Sequence, residues 1–296
     1  MKTPTELADY FLQHLRVERN LSKNTVGAYS ADLKKFRAFM ESDNYSLNRV
    51  DSEKITAFIL FLKKQNLSSS TIVRTLSSVR NFYKFLAGHG FIKINSLPLI
   101  ESPKVHRHLP EVLSKDEITL LIKDLFGTKD GIRNLAVIEL IYGAGLRVSE
   151  ITGIKTGDIN FENNQIKITG KGNRERIVFL NRNSLAAVNS YLAVRAKKLR
   201  NSASPYLFVN SRGGKISRQS IWKLIKKMSA VSKLDKNVFP HTFRHSFATH
   251  LLESGLDLRI VQELLGHKTL ATTEIYTHIN KSQIKSVYKK FHPRSL

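Results

Sequence analysis

The spacing of apolar residues restricts this chain to a mainly helical fold with one small sheet. Apolar residues recur at intervals of three and four in several segments between positions 6 and 86, which is the period of amphipathic helices. Between Asp158 and Leu180 the period changes to two, and turn sequences stand at Glu162–Asn164 and Gly170–Asn173. Alternation broken by such turns is typical of antiparallel strands. We therefore predict a three-stranded antiparallel sheet with Lys171 at the tip of its second turn.

Four amphipathic helices are predicted in residues 1–94. Polar residues able to accept hydrogen bonds from a helix N-terminus precede or open the apolar stripes. We expect the helices at Glu6–Arg19, from Ser22 to Met40, from Asp51 or Ser52 to Lys64, and from Ser69 or Ser70 to Leu86. His89 and Gly90 should end the last of them. Because the joins are short, the four helices predict a small bundle.

A linker is predicted at residues 95–112, which contain three prolines and follow neither a helical nor a strand period. Ser114 and Glu117 then have the spacing of a capping box and mark the start of a second domain, residues 113–296. Two domains fit a chain of 296 residues. Further helices are expected at 118–126, 132–142, 184–198 and 218–231.

The charge balance indicates a polyanionic partner. The chain has 48 Lys and Arg against 24 Asp and Glu, a net charge of +24, which favours nucleic acid over a membrane surface. Cysteine is absent, so disulfides, a thiol nucleophile and Cys-ligated zinc are excluded, as suits a reducing cytoplasm. No apolar run approaches the roughly 20 residues of a membrane span. We expect a soluble cytoplasmic protein associated with the nucleoid and not with a membrane.

Residues 239–279 contain the densest group of polar side chains that packing does not readily explain. His241 and Arg244 lie three positions apart just after Pro240, which suits the first position of a helix. The opposite face of this helix is expected to be apolar. Its members are Phe243, Phe247, Leu251 and Leu252.

The next helix, capped by Asp257 and ended by Gly266, places His267 just past a helix end. Tyr276 follows nine residues later in a polar setting. Cationic and imidazole groups close to one tyrosine suggest an anion site with a phenol aimed at it. Taken singly, each histidine or tyrosine is more commonly a satisfied packing residue. A zinc site at His241, His245 and His250 is disfavoured because the spacing is not H-E-x-x-H.

Two further groups of polar residues are candidates for phosphate or base contacts. Arg147 stands at the head of a short predicted helix after the Gly143–Gly145 turn, where helix amides also favour an anion. The beginnings of other helices carry exposed polar residues, for which a solvated face is an equally good explanation. These residues are Lys23, Asn24, Thr25, Arg74, Ser217, Arg218 and Gln219.

The motifs GAGLRVSE, TGKGNRER, PHTFRHSFATHLL, LLGHKTLATTEIYTH and the terminal HPR together resemble the tyrosine recombinase (phage integrase) family, and within it the bacterial XerC/XerD type. The resemblance covers essentially the whole chain. It implies a mainly α fold with a small antiparallel sheet: a helical, SAM-like core-binding domain at 1–94 and a mixed α+β catalytic domain at 113–296.

The resemblance also assigns catalytic roles that the chemistry supports. Tyr276 would attack the scissile phosphate and form a 3′-phosphotyrosyl bond. Arg147 and Arg244 would hold the non-bridging oxygens, because a planar guanidinium matches phosphate and stays charged. No metal or other cofactor is implied, since the covalent bond conserves the energy of the phosphodiester.

Four more residues receive roles from the same resemblance. Lys171 would protonate the leaving 5′-oxygen, and His241 would help to manage the proton of the tyrosine. His267 would donate a further hydrogen bond to the phosphate. Glu150, one helical turn after Arg147, would hold the catalytic side chains in position without contacting the phosphate itself.

The implied partner is double-stranded DNA with inverted-repeat binding arms, held by a homo- or hetero-tetramer on two DNA sites. The resemblance also implies two further partners: a paralogous recombinase and a DNA translocase that activates the complex. The segment Lys281–Phe291 would form a helix that docks on a neighbouring protomer or packs on its own domain. The implied role is resolution of chromosome or plasmid dimers at cell division. A mobile-element integrase, a nicking or topoisomerase-like strand transferase and a non-catalytic DNA-binding regulator are the alternatives.

Overall fold

The computed structural model describes residues 3–42, 47, 50–92, 111–125, 128, 130–170, 175–199 and 203–266. The chain divides into two compact units, Met1–His108 and Leu109–Leu296. Most of the predicted linker, residues 95–110, lies outside the described residues. None of the helices in the described ranges is long and apolar enough to cross a membrane.

The first unit is the predicted bundle of four helices. They are α1 (Pro4–Val17), α2 (Lys23–Ser42), α3 (Ser52–Lys64) and α4 (Ser69–Gly88). The core between them is rich in aromatic rings, for example Phe36 and Phe58, whose centroids lie 5.1 Å apart. Such edge-to-face pairs add to the large apolar area that each ring buries. The prediction of the four-helix fold is confirmed.

Local hydrogen bonds set the beginnings of these helices. The Asp51 carboxylate accepts from the backbone N of Lys54 and caps α3. The Ser22 hydroxyl accepts from the backbone N of Thr25 at the start of α2. Helix α4 begins at Ser69, one of the two predicted starting residues, and the Ser68 hydroxyl caps it by accepting from the backbone N of Thr71.

The second unit contains seven helices within its described residues. They are α5 (Lys115–Lys123), α6 (Gly131–Gly143), α7 (Val148–Ile151), α8 (Arg182–Leu199), α9 (Arg218–Val231), α10 (Pro240–Glu253) and α11 (Leu258–Leu265). The predicted capping box of Ser114 and Glu117 is present at α5. The apolar helix α6 is buried along most of its length and packs against α8 and α10. This arrangement fixes α10 in the interior of the unit.

The sheet has the predicted three antiparallel strands, in the order β1 (Ile159–Asn160), β2 (Gln165–Thr169) and β3 (Glu175–Phe179). In the register of β2 and β3, Ile166 faces Val178 and Ile168 faces Arg176. Directly opposed residues share one face of a sheet, and Ile166, Ile168 and Val178 are all buried. Arg176 therefore lies on the face of the sheet that packs against the core. The tip of the hairpin, with Lys171, is outside the described residues.

Candidate active site

A buried carboxylate, Glu150, lies at the centre of the candidate site. It is 5% exposed and accepts four hydrogen bonds from two arginines. The backbone N of Arg147 donates to Oε2 at 2.8 Å and its Nη1 donates to Oε1 at 3.1 Å. Nη1 of Arg176 donates to Oε1 at 2.7 Å and its Nη2 to Oε2 at 3.0 Å. Glu150 thus contacts both Arg147 and a second arginine, Arg176, which was not among the predicted site residues.

These contacts determine the charge of Glu150. Burial by itself would raise the pKa of this carboxyl group, since it disfavours the ionised form. The hydrogen bonds from Arg176 and from the Arg147 backbone, together with both positive charges, outweigh burial and hold the pKa below its ordinary value. Glu150 is therefore an anion throughout the neutral range.

The turn before α7 depends on one glycine. Gly145 has a φ of +62°, a conformation that disfavours residues with a side chain. A Cβ at this position would also lie 2.6 Å from a ring carbon of Phe247. The turn places Arg147 at the N-cap of α7 with extended backbone angles. It also directs the Gly145 carbonyl at Arg244.

Arg244 is a buried cation held by backbone carbonyls. Arg244 belongs to α10, and the residue is only 7% exposed. Nη1 donates to the carbonyl of Gly145 and Nη2 to that of Leu265, which stands at the end of α11. Burial and, after it, the positive charges of Arg147 and Arg176 outweigh the opposing charge of Glu150 and lower the pKa of Arg244 to about 10. Arg244 is still protonated at neutral pH.

The structure corrects the expected division of α10 into a polar and an apolar face. Phe243, Phe247 and Leu251 are buried as predicted, but Leu252 is 38% exposed. Arg244 is buried whereas His241, one turn earlier, is exposed. The reason is that α10 is enclosed by α6, α9 and α11, so its polar face is not uniformly open to solvent.

Three predicted catalytic residues, Lys171, His267 and Tyr276, lie outside the described residues. So does the predicted helix at Lys281–Phe291. Gly266 ends α11 in the left-handed conformation, as predicted, and is the last described residue. The other predicted catalytic residues are brought together around the Gly145 turn, except His241, which lies at the exposed start of α10.

The remaining histidines near the site do not form a group with His241. His250 is buried and hydrogen-bonds the hydroxyl of Tyr142 at 2.9 Å, whereas His245 is exposed. His250 therefore has a packing role in α10.

The residues predicted to contact DNA are dispersed over two helix starts, those of α2 and α9, and one helix face, that of α4. Lys23 and Asn24 are exposed at the start of α2, where the Thr25 hydroxyl pairs with that of Ser22. Arg74 is exposed but hydrogen-bonds the buried carboxylate of Asp32. At α9 a hydroxyl serves as the cap and two longer side chains are exposed; these residues are Ser217, Arg218 and Gln219.

Comparison with known proteins decides the family. The model of the phage integrase family matches residues 111–283, and that of its N-terminal SAM-like domain matches residues 8–90. The chain belongs to the phage integrase family. The recombinase is 38% identical over 292 residues to the tyrosine recombinase XerD of Staphylococcus haemolyticus, covering 98% of this chain and 99% of that one. It is 38% identical over 289 residues to XerD of Oceanobacillus iheyensis, covering 96% and 97%.

Solved structures of similar fold include DNA complexes. The crystal structure of XerA recombinase is 30% identical, with a TM-score of 0.51 and coverage of 98% of this chain and 99% of that one. The Tn1549 transposon integrase bound to transposon right-end DNA is 19% identical, with a TM-score of 0.72 and coverage of 96% and 98%. At that identity the second comparison supports the fold alone.

Two sequence predictions are thereby confirmed: membership of the tyrosine recombinase family, and the class of enzyme, a tyrosine-type site-specific recombinase. All six predicted catalytic positions fall within the residues that the family model matches, 111–283. They are Arg147, Lys171, His241, Arg244, His267 and Tyr276.

Arg176 is the residue that sequence reasoning missed. A usable signal was present, because strict alternation through Arg176 and Val178 puts the arginine on the buried face of β3. A charged residue on the apolar face of a strand requires a partner of opposite charge. Glu150 is that partner.

Proposed function

We propose that this recombinase cleaves and rejoins duplex DNA through a covalent bond between Tyr276 and the 3′ side of the scissile phosphate. The tyrosine oxygen forms a bond to phosphorus while the bond to the 5′-oxygen breaks. The tyrosine proton leaves with the help of His241, and Lys171 supplies a proton to the 5′-oxygen. Attack by a 5′-hydroxyl of another strand then reverses the same exchange and rejoins the DNA.

The observation that carries this proposal is the convergence of arginines on one carboxylate. Arg147 and Arg176 contact Glu150, and Arg244 is held against the same turn by the Gly145 carbonyl. Three guanidinium groups thus surround one negative charge, and the pKa of Arg244 is lowered in part by the other two arginines. A local excess of positive charge of this kind is suited to a phosphate whose negative charge rises in the transition state.

The roles of the remaining residues follow from position. His241 lies on the exposed start of α10, one helical turn from Arg244, within reach of a group bound at the surface. His267 directly follows α11, whose last carbonyl, that of Leu265, binds Arg244. We assign it a hydrogen bond to the phosphate.

Both parts of the chain are proposed to hold the DNA, with residues 1–94 as the core-binding domain, 95–112 as the linker and 113–296 as the catalytic domain. The exposed residues Lys23, Asn24, Arg218 and Gln219 are available for phosphate or base contacts. The net charge of +24 supports a large electrostatic contribution to binding.

We further propose that four protomers assemble on two DNA sites with inverted-repeat arms, alone or with a paralogous recombinase, and that a translocase activates the complex at the nucleoid. The role is resolution of chromosome or plasmid dimers. Full-length similarity to relatives named XerD supports this role over that of a mobile-element integrase.

The proposed chemistry is tested with Tyr276→Phe on a duplex nicked near the cleavage site, where the short 5′ product diffuses away and the covalent complex accumulates. Wild-type protein should form a protein–DNA adduct on denaturing gels. The variant should bind the duplex with unchanged affinity and form no adduct, because affinity comes mainly from phosphate contacts elsewhere. An adduct formed by the variant would show that another residue attacks the phosphate.

A further inference from the structure

We propose that Arg176 is a positioning residue for strand cleavage, which acts through Glu150 on Arg147 and ties strand β3 to the start of α7. This inference rests on the proposed function, in which Arg147 holds the scissile phosphate.

Arg176 makes the stronger side-chain contact with Glu150. It reaches both oxygens with two nitrogens, at 2.7 and 3.0 Å, whereas the Arg147 side chain reaches one oxygen at 3.1 Å. A bidentate fork is both stronger and more directional than a single contact. Since Arg176 occupies the carboxylate in this way, Arg147 is held by one edge of its guanidinium. Without Arg176, the buried carboxylate would draw the Arg147 fork onto itself and away from a bound phosphate.

The register of β2 and β3 shows where the contact with Glu150 holds the sheet. Arg176 lies directly opposite Ile168, close to the turn that carries Lys171. The contact with Glu150 therefore attaches the hairpin to α7 at the base of its turn. One side chain in this way fixes the end of the β2–β3 pair relative to the turn that carries Arg147.

Arg176 also contacts the end of α11. A Cβ at Gly266 would lie 3.1 Å from both Cδ and Nε of Arg176. Gly266 has a φ of +64° and directly precedes His267. The stem of Arg176 thus lies against the point where the chain leaves α11 towards His267.

The third donor of Arg176 argues against a role in stability alone. Nε is buried and meets no acceptor among the described residues. A buried donor without an acceptor costs free energy of folding. Arg176 thus satisfies Glu150 while one of its own donors stays without an acceptor, which favours a role for the fork beyond stability of the core.

The test compares Arg176→Gln and Arg176→Lys with wild type in single-turnover cleavage of the nicked duplex. We expect Arg176→Gln to slow cleavage by roughly 10²-fold, comparable to the loss of one preorganised donor, and to leave DNA affinity within a few fold. Arg176→Lys should recover part of the rate, because it restores the charge but not the fork. Arg195→Gln is the matched control, since the Arg195 guanidinium is likewise held in place, by three hydrogen bonds to the carbonyls of Ser204 and Tyr206. It should cleave at the wild-type rate.

A neutral substrate separates positioning from folding. Replacing one non-bridging oxygen of the scissile phosphate by methyl removes the charge on which Arg147 acts. The defect of Arg147→Ala should shrink on this substrate, and the defect of Arg176→Gln should shrink in parallel. A merely structural role would produce the same fold loss on both substrates. If Arg176→Gln does not fold, the same ratio measured with Arg176→Lys decides.

The outcomes distinguish this inference from the proposed function. Normal cleavage by Arg176→Gln, or an equal defect on both substrates, overturns the inference while Tyr276 and Arg147 keep their roles. A wild-type protein that forms no Tyr276 adduct overturns the proposed function itself.

Discussion

Each of the two units buries one carboxylate beside an arginine, and the two carboxylates are satisfied in different ways. In the first unit, Asp32 of α2 accepts from three side chains of one helix, α4: Arg74, Thr75 and Ser78. In the second, Glu150 accepts from two arginines that belong to different elements, the start of α7 and β3. Asp32 therefore ties one helix to another, whereas Glu150 fixes two cations relative to each other.

The charges around the two carboxylates differ accordingly. Two hydroxyls supply most of the donors to Asp32, with Lys35 at 3.6 Å as a second cation on its own helix. At Glu150 every donor belongs to an arginine, and a third arginine, Arg244, is close enough for its pKa to be lowered by the charges of the other two. A buried carboxylate shared by several cations leaves positive charge for a ligand. A carboxylate whose donors are mainly hydroxyls leaves no such positive charge. We therefore interpret Glu150 as part of a catalytic centre and Asp32 as a structural contact between two helices.

The largest effect is expected from Glu150→Gln. The amide keeps the shape of the side chain but loses the charge that holds both arginines, so single-turnover cleavage should fall by roughly 10²-fold. Asp32→Asn is the matched change in the first unit and should leave cleavage of bound DNA within about twofold. Equal losses in the two variants would mean that the contrast between the carboxylates has no catalytic meaning.

The same variant has a defined pH dependence. Because the pKa of Glu150 is held below its ordinary value, the pairing is complete above the ordinary carboxyl range and is lost as pH falls through the lowered pKa. The ratio of wild-type to Glu150→Gln cleavage rates should therefore stay constant from about pH 8 to pH 5. A ratio that falls already between pH 7 and 6 would contradict the assignment of a charged Glu150.

A smaller effect is expected on stability, and here the change in the first unit should matter instead of the change in the second. Asp32→Asn should destabilise the first unit by about 1–3 kcal/mol, the cost of weakening hydrogen bonds to a buried charged group. The single tryptophan, Trp222, belongs to the second unit and packs against Phe239. Its fluorescence should therefore report an unchanged unfolding midpoint for the second unit, while circular dichroism shows an earlier loss of helix. A shift of both signals together would show that the two units unfold as one.

The smallest effect is expected from Arg74→Ala. Asp32 orients the guanidinium of Arg74, whose side chain is 47% exposed. The Arg74 side chain therefore loses less conformational entropy when it contacts a phosphate. The slope of log affinity against log salt should decrease by about one, with cleavage of bound DNA unchanged. Lys84→Ala removes the same charge from an exposed position of α4 and should leave the slope as in wild type. If both variants reduce the slope equally, Arg74 acts through net charge and not through a contact.

Much of the architecture was predictable because its causes are local. Helix periods, the caps at Asp51, Ser114 and Asp257, and the stop at Gly266 depend on residues within a few positions of each other. The change of period at Asp158 was enough to predict the sheet and its strand order. The start of α4 at Ser69 has the same local origin, since the hydroxyl of the preceding serine, Ser68, caps the helix.

The candidate site was predictable only in part. Arg147, Glu150, His241 and Arg244 stood out through motif and family resemblance, and the first two are also linked by their spacing of three. The burial of Arg244 was not predictable, because its partners are the carbonyls of Gly145 and Leu265, 99 and 21 residues away. Helix α10 by itself would leave that side chain in water.

The sequence by itself therefore determined the class of fold, the order of the elements and the residues able to perform the chemistry, since hydrophobic period and side-chain chemistry are properties of short stretches. Tertiary structure alone decided which charges meet. Arg176 and Glu150 are 26 residues apart, and their fork forms only because the register of β2 and β3 turns Arg176 towards the core where α7 begins. A charge buried in the core requires a counter-charge beside it. No local sequence pattern contains that pairing, which brings the arginines together around Glu150.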